Sequence, residues 1–218
     1  MKDGGYAKKR NSLVDNLIKK GYVESDKVEK AMRKVPRHEF VPERIRGQAY
    51  VDSPQPIGKG QTISAPHMVA MMVENLDLDE GHRVLEIGGG MGYHAAVIAE
   101  IVGERGEVYS VEFIEPLAES AKKRVKKVGY QNIRMIKGDG SSGYPKGAPY
   151  DRISVACGAP DIPDPLIEQL VIEGKILIPI GNEFFQTLIK ATKKRDKKIK
   201  KENLGGVRFV PLKGNHGF

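Results

Sequence analysis

The most constraining feature of the sequence is a glycine-rich turn at residues 88–92, which directly follows an apolar run at residues 83–87. The apolar run is typical of a buried strand, and the residues after the turn predict a helix that begins near Tyr93. Glycine has no Cβ, so Gly88, Gly90 and Gly92 allow a tight turn and a close approach of the backbone to a ligand. The sequence therefore predicts a ligand-binding turn between a strand and a helix.

The chemistry of that ligand is indicated by an acidic residue and by the glycine spacing. Glu112 ends the next apolar run, about 20 positions beyond the turn, where a carboxylate can accept hydrogen bonds from ribose hydroxyls. The spacing Gly-x-Gly-x-Gly differs from the dinucleotide pattern, and no Lys-Ser/Thr pair follows as in a P-loop. A nucleoside without a pyrophosphate fits best, which indicates S-adenosylmethionine. An ordinary glycine-rich turn is the alternative, and Glu112 argues against it.

Strands and helices alternate from residue 83 onward. The predicted strands are 83–87, 107–112, 133–137, 151–156 and 175–179, and the predicted helices are 93–102, 116–127 and 164–170. This alternation predicts an α/β fold with a doubly wound, mostly parallel, Rossmann-like sheet that binds ligands at the carboxyl ends of its strands. After Pro179, residues 184–192, a lysine-rich segment and residues 207–212 predict antiparallel strands joined by hairpin turns.

The first part of the chain predicts a helical extension. A helix over residues 7–20 has Leu13, Val14, Leu17 and Ile18 on one face, and a second helix begins at a Ser25 cap and ends at Pro36. Residues 36–62 contain several prolines and glycines and predict an irregular, functional loop. Ser64 is predicted as the N-cap of a third helix, with Pro66 in its first turn. We expect residues 1–75 to form the extension and covering loop, and residues 76–218 to form the core of one compact unit.

Composition narrows the function classes. The chain has 218 residues, a net charge of +8 and one cysteine, which excludes an intramolecular disulfide and suits a reducing, cytoplasmic location. It has no run of eighteen apolar residues, so we expect no membrane span. One cysteine and five scattered histidines predict no metal site. The segment Lys190–Lys201 holds eight Lys or Arg and one acid, and we interpret it as a solvated hairpin without the interleaved aromatic residues of single-strand binders.

Two motifs of nucleic-acid methylation are missing. Neither Asn/Asp-Pro-Pro-Tyr nor Pro-Cys follows the predicted strand 151–156, and we interpret Cys157 as a small buried residue. A different motif is prominent at residues 57–68, which read Ile-Gly-Lys-Gly-Gln-Thr-Ile-Ser-Ala-Pro-His-Met. With this block the chain resembles the protein-L-isoaspartate (D-aspartate) O-methyltransferases. The resemblance also rests on Leu-Glu-Ile-Gly at residues 85–88, Gly-Asp-Gly at 138–140, Ala-Pro-Tyr-Asp-Arg-Ile at 148–153 and Phe-Val-Pro-Leu at 209–212.

The resemblance covers roughly residues 5–213 and implies a function. It implies transfer of a methyl group from S-adenosyl-L-methionine, leaving S-adenosyl-L-homocysteine, to the α-carboxylate of L-isoaspartyl residues in damaged proteins. The ester then forms a succinimide. The family's active-site serine falls on Ser64. The cofactor residues implied by the resemblance are Gly88, Gly90, Gly92, Glu112, Asp139 and Gly140, and the covering loop has Ile57, Gly58, Gln61 and Thr62, with His67 beside it.

The chemistry of the acceptor agrees with this implication. A carboxylate is ionised at pH 7, so it needs orientation and not a general base to become a nucleophile. Ser64 beside free N–H groups at a helix start would suit such an anion. His67 lies one turn further on, as a structural histidine or as a group that positions substrate. The family often has Thr and Ser where this chain has Gly89 and Met91, which puts cofactor affinity in question.

Two other hypotheses stay open from the sequence. One is an RNA or tRNA base methyltransferase, which the shared cofactor fold and the lysine-rich segment would allow. The other is a non-catalytic adenosyl-binding module that uses the basic segment as an interaction surface. Neither needs the block Gln61–His67, so we favour the protein methyltransferase. We expect damaged proteins and peptides as partners, no nucleic acid and no membrane, and a monomer.

Overall fold

The computed structural model describes residues 3–195 and 198–218. Its helices are α1 (Asp3–Lys19), α2 (Asp26–Lys34), α3 (Pro66–Asn75), α4 (Tyr93–Val102), α5 (Glu115–Val128) and α6 (Asp164–Glu168). Its strands are β1 (Gln55–Gly58), β2 (Gln61–Ile63), β3 (Arg83–Ile87), β4 (Glu107–Glu112), β5 (Ile133–Lys137), β6 (Tyr150–Val155), β7 (Leu170–Gly181), β8 (Gln186–Lys193) and β9 (Ile199–Val207). The helices and strands predicted from residue 83 to residue 192 are therefore present, with bounds that differ by at most five residues from the prediction.

A mixed sheet of seven described strands forms the core, in the order β5-β4-β3-β6-β7-β8-β9. β3 pairs in parallel with β4 and β6, while β5 and β7 extend the parallel part on either side. β8 and β9 are antiparallel to their neighbours. The strand order reverses between β3 and β6, which is where ligands bind in sheets of this kind. The structure thus confirms the predicted fold class, including the antiparallel end.

The sheet is covered on both faces, as parallel sheets require. Successive residues of β3 alternate between two apolar clusters: Val84 belongs to one, and Leu85 and Ile87 belong to the other. β4 repeats this alternation, because Val108 belongs to the first cluster and Val111 to the second. Near the carboxyl ends of β3 and β4, the face of the first cluster carries polar side chains, and these reach the site described below.

The N-terminal helices pack on the first apolar cluster. Leu13, Val14 and Leu17 of α1 are buried in it, but Ile18 is 38 % exposed, so the expectation that Ile18 shares the buried face was wrong. The predicted cap of α2 is confirmed, because the Ser25 hydroxyl accepts a hydrogen bond from the Val28 N–H at 3.4 Å. The apolar side chains of the N-terminal helices therefore belong to the same cluster as those on one face of the sheet.

Three expectations about local structure were wrong. Residues 36–62 are not irregular throughout, because they contain two 3-10 helices, Arg37–Phe40 and Glu43–Gln48, and most of the β1–β2 hairpin. Residues 207–212 do not form a strand, because β9 ends at Val207 and only a bridge between Gly158 and Pro211 follows. The prediction of β7 as residues 175–179 was too short, since the β6 and β8 partners extend it at both ends.

The basic segment Lys190–Lys201 lies along β8 and β9, except that Asp196 and Lys197 are outside the described residues. Several of its cations have acidic or carbonyl partners. Lys190 Nζ lies 2.6 Å from the Asp77 carboxylate, and Lys193 Nζ donates to the Leu170 carbonyl at 2.6 Å. Lys194 pairs with Glu173 and Lys201 with Asp161. Three cations of the segment, Lys190, Lys194 and Lys201, therefore lie beside acidic side chains of the protein.

Among the described residues, no helix combines the length and the apolar character needed to cross a bilayer. The same part of the chain contains no group of three or more His, Cys, Asp or Glu side chains that could hold a metal ion.

Candidate active site

A pocket lies at the carboxyl ends of β3, β4 and β6, below the β1–β2 hairpin. Of the residues predicted from sequence, those that line it are Ile57, Gln61, Thr62, Ser64, Gly88, Gly90, Glu112 and Gly140. Four of the predicted residues do not line it, namely Gly58, His67, Gly92 and Asp139. The fold therefore brings together segments that are far apart in the sequence at the position where ligands bind to α/β sheets.

The glycine-rich turn has the backbone conformation that its composition predicts. Gly88, Gly90 and Gly92 have φ values of +83°, +53° and +90°, a region that side-chain-bearing residues rarely adopt. A Cβ on Gly88 would lie 2.6 Å from the Cys157 sulfur, so the packing also requires glycine there. Gly92 precedes the first residue of α4 and packs against α5, so it shapes the turn without lining the pocket.

Glu112 fixes the turn from the neighbouring strand. Its Oε2 accepts a hydrogen bond from the Gly90 N–H at 2.8 Å, and its Oε1 accepts one from the Ile114 N–H at 2.8 Å. Burial raises the pKa of this carboxyl, and the backbone hydrogen bonds oppose that rise in pKa. Each carboxylate oxygen can accept a further hydrogen bond. Glu112 can therefore hold the turn and still receive hydroxyl donors from a ligand in the pocket.

Asp139 faces the C-terminal segment and not the pocket. Its Oδ1 accepts hydrogen bonds from the Ser141 N–H at 2.9 Å and from the Ser141 hydroxyl at 2.6 Å. Its Oδ2 accepts one from the Asn215 N–H at 2.9 Å, and Gly214 lies so close that a Cβ there would collide with the carboxylate. Burial works to raise the pKa of Asp139, but these hydrogen bonds outweigh it and lower the pKa. A contact between Asp139 and a cofactor stays a prediction.

Ser64 lies at the rim of the pocket, but it does not cap α3 as predicted. Ala65 occupies the N-cap position, without a side-chain hydrogen bond, and Pro66 is the first helical residue. Two of the expected free N–H groups are also missing at the helix start, because Pro66 has no N–H and the His67 N–H donates to Asp52 Oδ1 at 2.9 Å. Ser64 therefore lines the pocket from the segment that precedes α3 and not as the cap of that helix.

The covering segment is the β1–β2 hairpin, which places Ile57, Gln61 and Thr62 over the pocket. Gly58 is in its turn, with a φ of +98°. His67 is beyond the hairpin, where its Nδ1 lies 2.8 Å from Asp52 Oδ1 and its ring packs against another aromatic ring. These contacts support the structural interpretation of His67, because the ring contributes nothing to the pocket wall.

Sequence reasoning missed the ionisable residues Glu86, His94 and Lys213, which all line the pocket. Glu86 is fully buried on β3, and its Oε2 accepts a hydrogen bond from the Ser110 hydroxyl. Burial raises the pKa of Glu86 to about 7 and lowers the pKa of His94 to about 4. The sequence signal for Glu86 was an acidic residue inside an apolar strand, directly before the glycine-rich turn. Burial of a charged group costs free energy, so an acid at such a position indicates a functional role.

Arg37 is a further residue that the sequence did not indicate, and it is fully buried behind the serine. Its Nε donates to the Ala49 carbonyl at 2.8 Å, and its Nη2 donates to the Ser64 carbonyl at 2.7 Å. Its guanidinium carbon lies 4.7 Å from the centre of the Tyr93 ring. Arg37 therefore ties the backbone of Ser64 to the first 3-10 helix and to α4.

Gly89 and Met91, the other two residues of the glycine-rich turn, contact different parts of the protein. A Cβ on Gly89 would collide with the Ser110 hydroxyl, so a side chain there would force Ser110 away from Glu86. Met91 is 8 % exposed and lines the pocket, so this position presents a thioether and no hydroxyl. Neither Gly89 nor Met91 therefore offers a side-chain hydrogen-bond donor to a ligand.

The residues present fit a nucleoside with a charged amino-acid part. Gly88 and Gly90 allow backbone approach, Glu112 offers acceptors for hydroxyl groups, and Glu86 Oε1 is a buried acceptor that has no partner among the described residues. The strand order and the position of this pocket are those of a Rossmann-like, S-adenosylmethionine-dependent methyltransferase. The fold and the site therefore place the protein in the class of S-adenosylmethionine-dependent methyltransferases.

Comparisons with known proteins give the family. The chain belongs to the protein-L-isoaspartate(D-aspartate) O-methyltransferase (PCMT) family, whose model matches residues 8–217. A protein-L-isoaspartate O-methyltransferase of Methanopyrus kandleri is 53 % identical over 217 residues, which are 99 % of this chain and 96 % of the relative. Protein-L-isoaspartate O-methyltransferase 2 of Archaeoglobus fulgidus is 56 % identical over 213 residues, which are 98 % of this chain and 96 % of the relative.

A solved structure gives the same result. It is described as a protein-L-isoaspartate O-methyltransferase from Plasmodium falciparum in complex with S-adenosyl-L-homocysteine. It aligns with a TM-score of 0.84 at 29 % sequence identity, over 94 % of this chain and 99 % of that chain. The family resemblance inferred from the motifs is therefore confirmed over nearly the whole sequence.

Proposed function

We propose that this protein repairs damaged proteins by methylating L-isoaspartyl residues. The methyl group comes from S-adenosyl-L-methionine, and the acceptor is the α-carboxylate of the isoaspartyl residue. The observation that carries the proposal is the family match over residues 8–217, combined with a pocket that joins Glu112 of the nucleoside-type turn to Ser64 of the family motif.

The residues of the pocket suit this chemistry. S-adenosylmethionine supplies a methyl group on a sulfonium, so the protein needs to orient the acceptor and has no need for a strong base. Glu112 and the turn at Gly88 and Gly90 hold the nucleoside, and the Ser64 hydroxyl donates to the acceptor carboxylate. The hairpin residues Ile57 and Thr62 limit the access of water. In the methyl ester, attack by the following backbone nitrogen expels methanol and closes the succinimide.

The role of each predicted residue is part of the proposal. Asp139 and Gly140 support the nucleoside end of the pocket, and Gly92 shapes the turn. We also propose that the extension 1–75 and the core 76–218 act as one unit, because both contribute to the same apolar cluster. From the single cysteine and the family, we further propose a cytoplasmic monomer that acts on isoaspartyl proteins and peptides.

RNA or tRNA base methylation has less support. The lysine-rich segment that suggested it lies on β8 and β9, where several cations pair with Asp77, Glu173 and Asp161. A cation already paired within the protein contributes less to phosphate binding.

The test is a paired-peptide assay with radiolabelled cofactor. The purified protein is incubated with a synthetic L-isoaspartyl peptide or with its normal-aspartate twin, and volatile methanol released at alkaline pH is counted. We expect counts from the isoaspartyl peptide only. Equal incorporation into both peptides would contradict the proposed acceptor. Incorporation into bulk tRNA that is stable to base, with none into either peptide, would favour the nucleic-acid alternative.

A further inference from the structure

The loop that joins β7 to β8 carries the two most exposed large apolar side chains of the described residues. It reads Asn-Glu-Phe-Phe at residues 182–185, and we call it the aromatic loop. Phe184 is 75 % exposed and Phe185 is 60 % exposed. Single exposed apolar residues are common on protein surfaces, but two adjacent aromatic rings form a patch that suits a binding partner.

The aromatic loop is held in one conformation by its own residues. The Asn182 side-chain oxygen accepts hydrogen bonds from the N–H groups of Phe184 and Phe185, both at 2.9 Å. The Asn182 N–H donates to the Phe185 carbonyl at 3.1 Å. On β9, a Cβ at Gly206 would lie 2.7 Å from the Phe185 ring, so the ring rests on the glycine backbone. A surface that is ordered in this way loses little conformational freedom when it binds.

The aromatic loop lies at the same edge of the sheet as the pocket. β7 runs parallel to β6, so the two strands end at the same edge. The residue after the loop, Gln186, accepts a hydrogen bond from the Phe209 N–H at 2.8 Å, and a Cβ on Gly158 would lie 2.8 Å from its side chain. Gly158 and Phe209 directly adjoin Cys157 and Val210, which line the pocket. Gln186 therefore connects the aromatic loop to the pocket wall.

The aromatic loop is also on the side of the pocket that is left for the acceptor. Glu112, whose carboxylate suits the ribose, ends β4, which pairs with one side of β3. β6 and β7 lie on the other side of β3. With the ribose at β4, the acceptor has the β6 side of the pocket, which is the side of the aromatic loop.

The size of the patch favours a short stretch of polypeptide over a second copy of the chain. Two aromatic rings offer at most about 300–500 Å², whereas a stable dimer buries about 800 Å² on each partner. Adjacent strands are about 4.8 Å apart, so the ends of β3 and β7 are separated by about 10 Å, or about three residues of an extended chain. A polypeptide with its reacting residue in the pocket therefore reaches the aromatic loop.

The charges near the aromatic loop do not suit a membrane surface. Membrane-binding surfaces combine aromatic and apolar side chains with lysine and arginine. The charged residue of the loop is the acidic Glu183, and the basic segment Lys190–Lys201 continues along β8 and β9 beyond the loop.

We propose that the aromatic loop binds an apolar side chain of the substrate polypeptide, about three residues away in the sequence from the isoaspartyl residue. This inference rests on the proposed function. Phe184 and Phe185 are specificity-determining residues in this role, because they strengthen binding and leave methyl transfer itself unchanged. The loop makes the protein prefer damaged sites in unfolded segments, where apolar side chains of a former core are accessible.

The experiment measures KM and kcat with three L-isoaspartyl peptides of equal length. One peptide has alanine three residues before and three residues after the isoaspartyl residue, and each of the others has leucine at one of these positions. The proteins are the parent, Phe184→Ser, and Phe184→Leu, which keeps an apolar side chain. Ile172→Ser is the matched control, because Ile172 is 49 % exposed and lies near the opposite end of β7.

With the parent, we expect at least one leucine peptide to have a KM about fivefold below that of the alanine peptide, the range for partial burial of one apolar side chain. Phe184→Ser should abolish this difference in KM. Its kcat and its KM for the alanine peptide should stay unchanged, which also shows that the variant is folded. Phe184→Leu should keep most of the difference, and Ile172→Ser should match the parent. Equal KM values for the three peptides with the parent, or a leucine preference that persists in Phe184→Ser, would overturn the inference.

Two further outcomes are distinct from these. A parent protein that methylates none of the three peptides would overturn the proposed function, and the inference with it. Methylation of all three peptides without a leucine preference would overturn the inference alone. Sedimentation velocity tests the other occupant: a parent dimer that Phe184→Ser converts to a monomer would assign the aromatic loop to a second copy of the chain and overturn the inference.

Discussion

Replacing Arg37 with methionine removes a buried guanidinium that holds two backbone carbonyls together, those of Ala49 and Ser64. Each hydrogen bond from a charged donor contributes roughly 1.5–3 kcal/mol to stability, so the two together contribute about 3–6 kcal/mol. Loss of the contact with the Tyr93 ring adds to the cost. Methionine recovers part of the lost stability, because its side chain packs in the same space and no charge has to be buried. We expect a net loss of about 3 kcal/mol in the free energy of unfolding.

The measurement is urea unfolding followed by circular dichroism, with Arg33→Met as the matched control. Arg33 lies on α2 and makes partly exposed ion pairs with Asp15 and Glu29. Such pairs are worth no more than about 1 kcal/mol. A loss in Arg37→Met no greater than the loss in Arg33→Met would refute the reasoning. Under conditions where Arg37→Met is folded, its turnover on an isoaspartyl peptide should fall about tenfold or more, because the Ser64 backbone is no longer anchored.

Three other residues give simpler predictions. Ser64→Ala should lower turnover on an isoaspartyl peptide about tenfold while the Kd of S-adenosyl-L-homocysteine changes little, since one donor to the acceptor is lost; unchanged turnover would remove Ser64 from the mechanism. Glu112→Ala should raise that Kd about tenfold or more, measured by calorimetry, because the ribose acceptor and the support of the turn are both lost. Burial raises the pKa of Glu86 from 4.5 to about 7 in the folded protein, so the protonated carboxyl predominates below about pH 7. Its contribution to stability is complete below about pH 4.5 and is lost as the pH rises through 7. Glu86→Gln should therefore be more stable than the ligand-free parent at pH 8, by about 3 kcal/mol, with the difference shrinking toward pH 5 in urea titrations; a difference that does not change with pH would contradict this.

The parts of the fold that depend on local patterns were predictable from the sequence. The strand–helix alternation from residue 83 gave the parallel sheet, because strands buried on both faces read as continuous apolar runs. The turn at Gly88–Gly92 and the acid at Glu112 were recognisable, since each needs a specific residue type at a fixed distance from a strand. These features follow from the sequence within about 30 residues of each position.

Features that depend on distant contacts were not predictable in this way. The β1–β2 hairpin was missed because Pro56 and Gly58 are unusual in strands and the hairpin has little apolar alternation. The N-cap of α3 was misplaced by one residue, because a serine is a far better cap than the alanine that occupies the position. The partner of Asp139 lies 76 residues away, at Asn215, so no local pattern indicates it.

Buried charges were the other omission. Glu86 and Arg37 have polar side chains, and such residues are almost always assigned to the surface in sequence reasoning. In the structure Glu86 lies in the pocket wall, and Arg37 lies behind it and donates to the Ser64 carbonyl. A charged residue inside an otherwise apolar segment is therefore the sequence signal worth following in a chain of this type.

The walls of the pocket come from segments as distant in the sequence as Ile57 and Lys213. Because ribosomes deliver the chain from its N-terminus, the β3 turn and the hairpin emerge long before the last segment of the wall. A nascent chain lacking residues 210–213 has no complete place for the nucleoside. Cofactor binding during synthesis would therefore report that the chain has been translated and folded as far as Lys213.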